Sequence, residues 1–355
     1  MPNVESRKKD HIDICANEDV DNSLKFDVFA DIDLVYRCLP DINLKDIDIA
    51  VEFLGKELKA PILISSMTGG TDEAEIINKR LAKVAEELGV AFAVGSQRAA
   101  LENEELAKTY QIRDVAPTTV VIGNLGAVQL LKEYTKENIN KAIEMIDADA
   151  LYLHINPLQE ACQTEGDTNF KDMVSAIDKI TKTVKKPIIV KEVGCGIDKD
   201  SAHALEKAGV KAIDVAGMGG TSWPLVESKR NTSKVGETFS WFGIPTPVSL
   251  IETKQSVEIP VIASGGIRNG LQAAKALALG ADVVGIALPL LRPARESEDA
   301  VKEWLENFIH ELSVAMFAVG ARTVADLQKK PVIITGKTRS WLSQRDVKLA
   351  EYGKR

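Results

Sequence analysis

Two glycine-rich segments in the second half of the chain have residue types that suit phosphate binding. The first reads ASGGIR at residues 263–268, and the second reads GIA at residues 285–287. Glycines let the backbone approach an anion closely, and exposed N–H groups at the start of a helix bind it. The two segments therefore predict a phosphate site, although glycines that only turn a tight loop would produce the same pattern.

Further polar groups follow other apolar runs, and their types suit a flavin. These stretches are SSMTGG at 65–70, GSQR at 95–98, Asn124, Lys191 and GMGGTSW at 217–223. The backbone of Met67 and Thr68 would line the edge of a flavin ring. Asn124 would bond the ring heteroatoms, and Lys191 would stabilise negative charge near N1 of the reduced ring. Any one of these residues taken alone is more often an ordinary cap.

The segment HINPLQE at residues 154–160 offers a candidate substrate and metal site. His154 and Asn156 share one face of a predicted strand, because alternate residues of a strand point the same way. Gln159 and Glu160 follow at the rim. A carboxylate beside amides can hold a Mg²⁺ ion that also binds substrate phosphates, which makes Glu160 the predicted metal ligand. A hydrogen-bonded structural histidine is the alternative for His154 by itself.

A charged cluster, RKKDHI, occupies residues 7–12. Arg7 can make paired hydrogen bonds to phosphate oxygens, and Lys8 adds a point charge. Composition leaves two interpretations open. The cluster is either a solvated terminus or an arm that folds over the site and clamps a diphosphate.

The elements that must position these residues form a repeating pattern. Short apolar, β-branched runs predict strands at 60–65, 90–95, 119–124, 150–155, 187–192, 212–216, 260–264 and 282–286. Between them, residues 74–88 place Ile76, Ile77 and Leu81 on one helical face, and Gly89 supplies a C-cap. Nearly all-apolar strands that alternate with helices indicate a buried parallel sheet. The pattern predicts an α/β fold, a (β/α)8 TIM barrel, with an open doubly wound sheet as the alternative.

Two regions interrupt this pattern and suggest a three-part organisation. Residues 1–59 are rich in charge and predict an N-terminal arm and cap over the barrel mouth. Residues 60–330 form the predicted FMN-binding barrel, and residues 331–355 a C-terminal tail that docks on the body or on a neighbouring subunit. Residues 217–247, after the sixth strand, predict a long loop that serves as a lid or binding loop.

Composition limits the partners and the location. The 355 residues are 45% hydrophobic, enough for a large core, and carry a net charge of −8. An acidic balance argues against nucleic-acid or anionic-membrane binding. No apolar run reaches the roughly 18 residues of a membrane span, and the polar N-terminus does not resemble a secretory signal. The cysteines lack CxxC spacing, so reduced thiols and a cytoplasmic location are expected.

Together and in order, these motifs resemble the type 2 isopentenyl-diphosphate isomerase family. The motifs SGGIR and VKEVG (190–194) occur in several FMN barrels, whereas RKxxHI, MTGG, GSQR and HxNxxQE together are highly specific. The resemblance implies an isomerase of isoprenoid biosynthesis that interconverts isopentenyl and dimethylallyl diphosphate by a 1,3-proton shift. It also implies reduced FMN as acid and base, Mg²⁺ on the diphosphate, NAD(P)H as reductant and a homotetramer.

The resemblance assigns the site residues by motif. Substrate contacts are expected from Arg7, Lys8, His11, Ser96, Gln97, Arg98, His154, Asn156 and Gln159. FMN contacts are expected from Ser66, Met67, Thr68, Ser96, Asn124, Lys191, Thr221, Gly265, Gly266, Ile267, Ile286 and Ala287. Glu160 is expected to bind Mg²⁺, and the expected catalytic residues are Gln159, His154 and Lys191. Ala216 departs from the serine more usual at that position, which weakens one flavin contact.

Three other classes compete with this interpretation. A 2-hydroxy-acid oxidase would share the cofactor loops but needs a His-Gly-Gly-Arg stretch after strand six or seven, whereas residues 217–224 read GMGGTSWP. A nucleotide dehydrogenase needs a catalytic cysteine loop, and Cys195 lies on the wrong strand. A non-catalytic flavin-binding protein is disfavoured because the substrate-side clusters at 7–11 and 154–160 are both intact.

Overall fold

A computed structural model describes residues 4–132, 134–231 and 233–355 of the chain. Its strands are β1 (Ile32–Leu34), β2 (Val51–Phe53), β3 (Lys56–Leu58), β4 (Ile62–Ile64), β5 (Ala91–Ala93), β6 (Val121–Gly126), β7 (Ala150–His154), β8 (Ile188–Lys191), β9 (Ala212–Asp214), β10 (Val261–Ala263), β11 (Val283–Ile286) and β12 (Val332–Ile334).

The α-helices surround these strands and are joined by short 3-10 turns. They are α1 (Val4–Asn17), α2 (Asp72–Leu88), α3 (Arg98–Glu102), α4 (Lys136–Met145), α5 (Pro157–Cys162), α6 (Met173–Thr183), α7 (Lys199–Lys207), α8 (Trp223–Asn231), α9 (Val235–Thr238), α10 (Thr246–Lys254), α11 (Gly270–Ala278), α12 (Leu291–Glu296), α13 (Glu298–Ala318), α14 (Val324–Leu327) and α15 (Gly336–Gln344).

The strands β4 to β11 form a closed parallel barrel in chain order within the described residues. The last strand pairs with the first, with Val284 opposite Ile62 and Ile286 opposite Ile64. Each of the eight barrel strands lies at a position that the apolar runs predicted. The TIM barrel is therefore confirmed, and the open doubly wound sheet is excluded.

Two apolar layers hold the barrel, one on each face of its strands. Side chains such as Leu63, Ile122 and Ile189 fill the interior and are fully buried. Outward residues such as Ile64 and Val121 pack against the helices in a second, larger cluster. Burial on both faces explains why the strands read as continuous apolar runs rather than as alternating ones.

The helix α2 shows how the sequence sets the outer layer. Thr71 caps its start by accepting the Ala74 N–H, and Gly89 ends it in a left-handed conformation with φ of 65°. Ile77 and Leu81 are buried as predicted, but Ile76 is 53% exposed. The prediction for Ile76 was wrong because each helical residue turns by about 100°, which carries position 76 away from the centre of the buried arc.

The N-terminal region contacts both ends of the barrel. The helix α1 packs on α8 beside the barrel mouth. The hairpin of β2 and β3 lies at the other end, where Phe53 and Leu58 join the interior cluster. The structure thus restricts the predicted cap to the first part of residues 1–59, since the hairpin packs at the amino ends of the strands. The three-part division itself stays a prediction.

The long segment after the sixth barrel strand is present, and it carries secondary structure of its own. The helices α8 and α9 lie within residues 217–247, and α10 begins at Thr246. Farther along, β12 pairs antiparallel with β1, and Tyr352 is buried, so the C-terminal tail docks on the body. None of the helices in the described part of the chain has the length and apolar character needed to cross a membrane.

Candidate active site

A cavity opens at the carboxyl ends of the barrel strands, with α1 over one side. It is lined by residues that follow the strands and by three side chains of the charged N-terminal cluster, Arg7, Lys8 and His11. Parallel barrels place functional residues at this end. The other predicted site residues that line it are Ser66, Met67, Thr68, Ser96, Arg98, Asn124, His154, Asn156, Gln159, Glu160, Lys191, Thr221, Gly265, Gly266 and Ala287.

Three predicted site residues do not line this cavity. Gln97 is 0% exposed, and its side chain accepts the Asn124 N–H and donates to the Ala142 carbonyl. The substrate contact predicted for Gln97 is corrected to a structural role, because the side chain is used to join two barrel units. Ile267 and Ile286 are buried, so any cofactor contact by either would come from its backbone.

The loop after the seventh barrel strand accepts only glycine at two positions. Gly265 has φ of 102°, and a Cβ there would lie 2.1 Å from the Gly217 carbonyl oxygen. Gly266 has φ of 77°, and a Cβ there would lie 2.4 Å from the Gly219 carbonyl oxygen. The loops after the sixth and seventh strands therefore touch through their backbones, and both Gly265 and Gly266 line the cavity.

Several buried polar atoms at the cavity have no hydrogen-bond partner among the described residues. They are the hydroxyls of Ser65 and Ser66 and the side-chain amide oxygens of Gln129 and Asn156. An unsatisfied buried polar group costs about 1–3 kcal/mol. Because all four residues line the same cavity, these atoms indicate that a polar ligand completes the site.

His154 is neutral in this site. Burial lowers its pKa to about 3, and the positive charges of Lys191, Lys8 and Arg7 add to the effect. The ring Nδ1 lies 2.8 Å from the Asn124 Oδ1. Because that oxygen can only accept, Nδ1 carries the proton, and Nε2 is the free acceptor.

Lys8 is held by groups of the barrel rim. Its Nζ donates to the Ser96 carbonyl and to the Tyr110 hydroxyl, and it lies 5.1 Å from the centre of the Tyr110 ring. Burial lowers the pKa of Lys8 to about 7, and the charge of Arg7 contributes. The contact of Tyr110 with Lys8 was not predicted from the sequence, because the residues around Tyr110 form no motif that indicates a site.

Glu227 on α8 ties the N-terminal helix to the rim. Its carboxylate is fully buried and lies 3.1 Å from the His11 Nε2, 2.9 Å from the Gln159 Nε2 and 2.8 Å from the Arg230 Nε. Burial alone would raise the pKa of Glu227, but these hydrogen bonds lower it to about 2. Glu227 was not predicted as a site residue because residues 217–247 were interpreted as a loop. Its position four residues after Trp223 could have placed it on one helical face with that tryptophan.

Glu160 lies at the cavity rim with both carboxylate oxygens engaged. Oε1 accepts from the Asn156 amide at 2.9 Å, and Oε2 accepts from the Asp167 N–H at 2.6 Å. In the part of the chain that the structure describes, no group of three or more His, Cys, Asp or Glu residues could hold a metal. A cation at Glu160 would therefore take further oxygen ligands from substrate or water, as Mg²⁺ commonly does.

Known protein families and relatives match nearly the whole chain. The model of the FMN-dependent dehydrogenase family matches residues 2–151 and 155–334. The isopentenyl-diphosphate delta-isomerase of Methanothermobacter thermautotrophicus is 48% identical over 354 residues, which cover 99% of each chain. The protein of the same name from Pyrococcus furiosus is 44% identical over 98% of this chain and 91% of its own.

Solved structures share the fold at low sequence identity. A mandelate oxidase variant with a monooxide FMN adduct has a TM-score of 0.65 and 17% identity, and covers 91% of this chain and 95% of its own. The same variant with benzaldehyde has a TM-score of 0.66 and 17% identity, over 92% and 94% of the two chains. These likenesses concern the fold alone. The sequence matches confirm the family that the motifs predicted: the chain belongs to the isopentenyl-diphosphate delta-isomerases of the FMN-dependent dehydrogenase family.

Proposed function

We propose that this enzyme interconverts isopentenyl and dimethylallyl diphosphate by a 1,3-proton shift in isoprenoid biosynthesis, as the name of its relatives suggests. The observation that carries the proposal is the lining of one cavity by the cationic side chains of α1 and by the polar strand ends. The strand ends suit a flavin, and the cations suit a diphosphate. Cofactor and substrate would therefore meet in a single enclosure.

FMN fits the residues at the strand ends. Ser65 and Ser66, whose hydroxyls have no partner among the described residues, line the cavity, and so do Gly265 and Gly266, whose backbone N–H groups would bind the phosphate. Lys191 also lines the cavity and would stabilise the anionic edge of a reduced ring. When bound in reduced form, FMN supplies a proton donor and acceptor at N5.

The diphosphate would lie between α1 and the rim. Arg7 and Lys8 line the cavity from α1, and Arg98 and the neutral His154 line it from the barrel. Charged donors bind phosphate oxygens strongly, and arginine binds them in pairs. The bond between His11 and Glu227 anchors α1, so the two cations are held over the substrate rather than left in solvent.

Mg²⁺ is proposed to bind at Glu160. Asn156 and Gln129 line the same cavity as Glu160, and their side-chain oxygens have no partner among the described residues. Oxygen donors of this kind are the ligands that Mg²⁺ prefers. The diphosphate would complete the coordination and be fixed relative to the barrel.

The protein supplies orientation rather than a strong acid. At neutral pH His154 is unprotonated and Glu227 is ionised, because their pKa values are about 3 and about 2. The Gln159 amide donates to Glu227, and its oxygen accepts from Asn156 at 3.1 Å. Gln159 is thus held in one orientation toward the substrate, and the side chains of Met67 and Trp223, which line the cavity, would shelter a cationic transition state.

We also propose NAD(P)H as the reductant, a homotetramer, a cytoplasmic location and no nucleic-acid partner. These proposals rest on the family resemblance and on the acidic composition of the chain. A 2-hydroxy-acid oxidase remains the rival activity, since such enzymes share the barrel.

The test is an anaerobic assay of the purified, FMN-loaded protein with isopentenyl diphosphate and Mg²⁺. We expect conversion after reduction, no consumption of electrons, and little conversion when the flavin is oxidised. The double variant Arg7→Ala, Lys8→Ala serves as a control that keeps FMN but loses substrate affinity. Oxidation of lactate or mandelate without isomerisation would overturn the proposal. A normal rate with reduced 5-deaza-FMN, in which N5 is carbon, would remove N5 as the acid.

A further inference from the structure

A polar layer lies directly above the apolar interior of the barrel. Five residues of the apolar interior, each on a different barrel strand, point toward the barrel axis: Ile122, Tyr152, Ile189, Ala212 and Ile262. Alternate strand residues point the same way. The residues two positions later therefore also point inward and form the polar layer: Asn124, His154, Lys191, Asp214 and Ser264. All of these residues line the cavity except Asp214.

Asp214 is the hub of this layer. It is 0% exposed and accepts hydrogen bonds from the Tyr152 hydroxyl at 3.0 Å, from the Ser264 hydroxyl at 2.6 Å and from the Ala216 N–H at 3.2 Å. Three barrel strands are thereby joined at one carboxylate. Ser264 immediately precedes the Gly265–Gly266 loop, so Asp214 reaches the cofactor site through its neighbours only.

Asp214 also provides a counter-charge for Lys191. The two residues are direct partners in the pairing of β8 with β9, so their side chains point to the same side of the sheet. Burial lowers the pKa of Lys191 and raises that of Asp214, and in each case the charge of the other opposes the shift. A buried ammonium without a nearby anion loses its proton readily.

The charge of Glu192 also raises the pKa of Lys191, after that of Asp214, but the Glu192 carboxylate has other hydrogen-bond partners. The Glu192 carboxylate accepts the N–H groups of residues 193–195, and only its backbone oxygen accepts from the Lys191 Nζ. The Tyr152 ring centre lies 5.9 Å from that Nζ. Burial and nearby positive charge keep His154 neutral, with a pKa of about 3.

We propose that Asp214 is a positioning residue for FMN, which keeps Lys191 protonated beside the cofactor site without touching the cofactor. The inference rests on the FMN site of the proposed function. FMN affinity is measured without isopentenyl diphosphate, so a failure of the isomerase proposal would leave this test intact.

The experiment measures the dissociation constant of FMN by fluorescence quenching between about pH 7 and 9, below the range in which an unperturbed lysine titrates. Asp214→Asn keeps the size and an acceptor oxygen but removes the charge. We expect Asp214→Asn to bind FMN more weakly than wild type, with a difference that grows as the pH rises and reaches about tenfold or more at the high end of this range. The sign follows because a lysine is charged only below its pKa.

Tyr152→Phe is the matched control, since it removes one hydrogen bond to Asp214 and leaves the carboxylate. It should keep the wild-type pH dependence. If Asp214→Asn binds FMN as wild type does at every pH, or weakens binding equally at every pH, the charge role is wrong. A Tyr152→Phe profile identical to that of Asp214→Asn would also overturn it.

A second comparison covers the case in which Asp214→Asn does not fold. Lys191→Met is compared with the double variant Lys191→Met, Asp214→Asn, in which both buried charges are gone. If Asp214 acts through Lys191, the two proteins bind FMN equally. A double variant that binds distinctly more weakly than Lys191→Met, or that is insoluble beside a soluble Lys191→Met, would assign Asp214 a purely structural role and refute the proposal.

Discussion

Replacing Glu227 with glutamine tests how α1 is held over the cavity. The substitution preserves the shape of the side chain but removes the negative charge that His11, Gln159 and Arg230 share. It also places an amide hydrogen among groups that are already donors. We expect α1 to loosen, the KM for isopentenyl diphosphate to rise and FMN affinity to stay unchanged.

The magnitude follows from the depressed pKa of the buried carboxylate. The pKa falls from 4.5 to about 2, which corresponds to about 3 kcal/mol of native-state stabilisation at neutral pH. Since the folded pKa is the lower one, this contribution is complete above about pH 4.5 and is lost as the pH falls toward 2. Glu227→Gln should therefore be about 3 kcal/mol less stable at pH 7, with about half of that difference left at pH 3.

Urea denaturation of the FMN-free protein, followed by circular dichroism from pH 7 to pH 3, measures this difference. Glu165→Gln is the matched control, because Glu165 also pairs with Arg230, at 2.7 Å, but is 27% exposed. A partly exposed pair of this kind is worth at most about 1 kcal/mol. A stability difference for Glu227→Gln that is no larger than the control, or that does not shrink in acid, would refute the reasoning.

Other predictions concern the remaining parts of the cavity. Gly266→Ala should weaken FMN binding by at least tenfold in a fluorescence titration, because its Cβ would lie 2.4 Å from the Gly219 carbonyl oxygen. An unchanged dissociation constant would mean that the loop moves freely. Glu160→Gln should raise the Mg²⁺ concentration needed for half-maximal activity while FMN stays bound, and an unchanged Mg²⁺ titration would remove Glu160 from the site. Lys8 has a pKa of about 7, so the wild-type KM should rise by up to about tenfold per unit above that pH as Lys8 loses its charge. Lys8→Met should have a high KM already at pH 6, and its KM should not rise with pH in the same way. The same pH dependence of KM in both proteins would contradict this prediction.

The barrel could be predicted from the sequence because each of its strands has a recognisable local pattern. Each one is an apolar, β-branched run, and helices with glycine ends separate them. The local sequence pattern did not predict the secondary structure and packing of the longer segments between the strands. Residues 217–247 are rich in glycine, serine and proline, yet α8 forms there because Val226 and Glu227 are buried against α1 and α5. That burial is a tertiary effect.

The site was predicted unevenly for the same reason. Residues that point into the cavity from the strand ends follow the alternation of a strand and were found, as Asn124, His154 and Lys191 show. Asp214 obeys the same alternation, and a charge inside the apolar run at 212–216 was available as a signal. Gln97 was misassigned because neighbouring side chains of the GSQR motif point in different directions. Ser96 lines the cavity, whereas Gln97 is fully buried and does not.

The charges of the cavity argue for separate binding and chemical regions. Arg7 and Lys8 are on α1 and Lys191 is at the end of β8, and the charges of all three lower the pKa of His154. A bound diphosphate would neutralise the first pair but not Lys191, whose counter-charge is the buried Asp214. His154 therefore stays a hydrogen-bonding group rather than a strong acid even in the loaded site. Side chains of this kind are too weak as acids to protonate an alkene, and this is the physical argument for the proposed role of bound, reduced FMN as the acid.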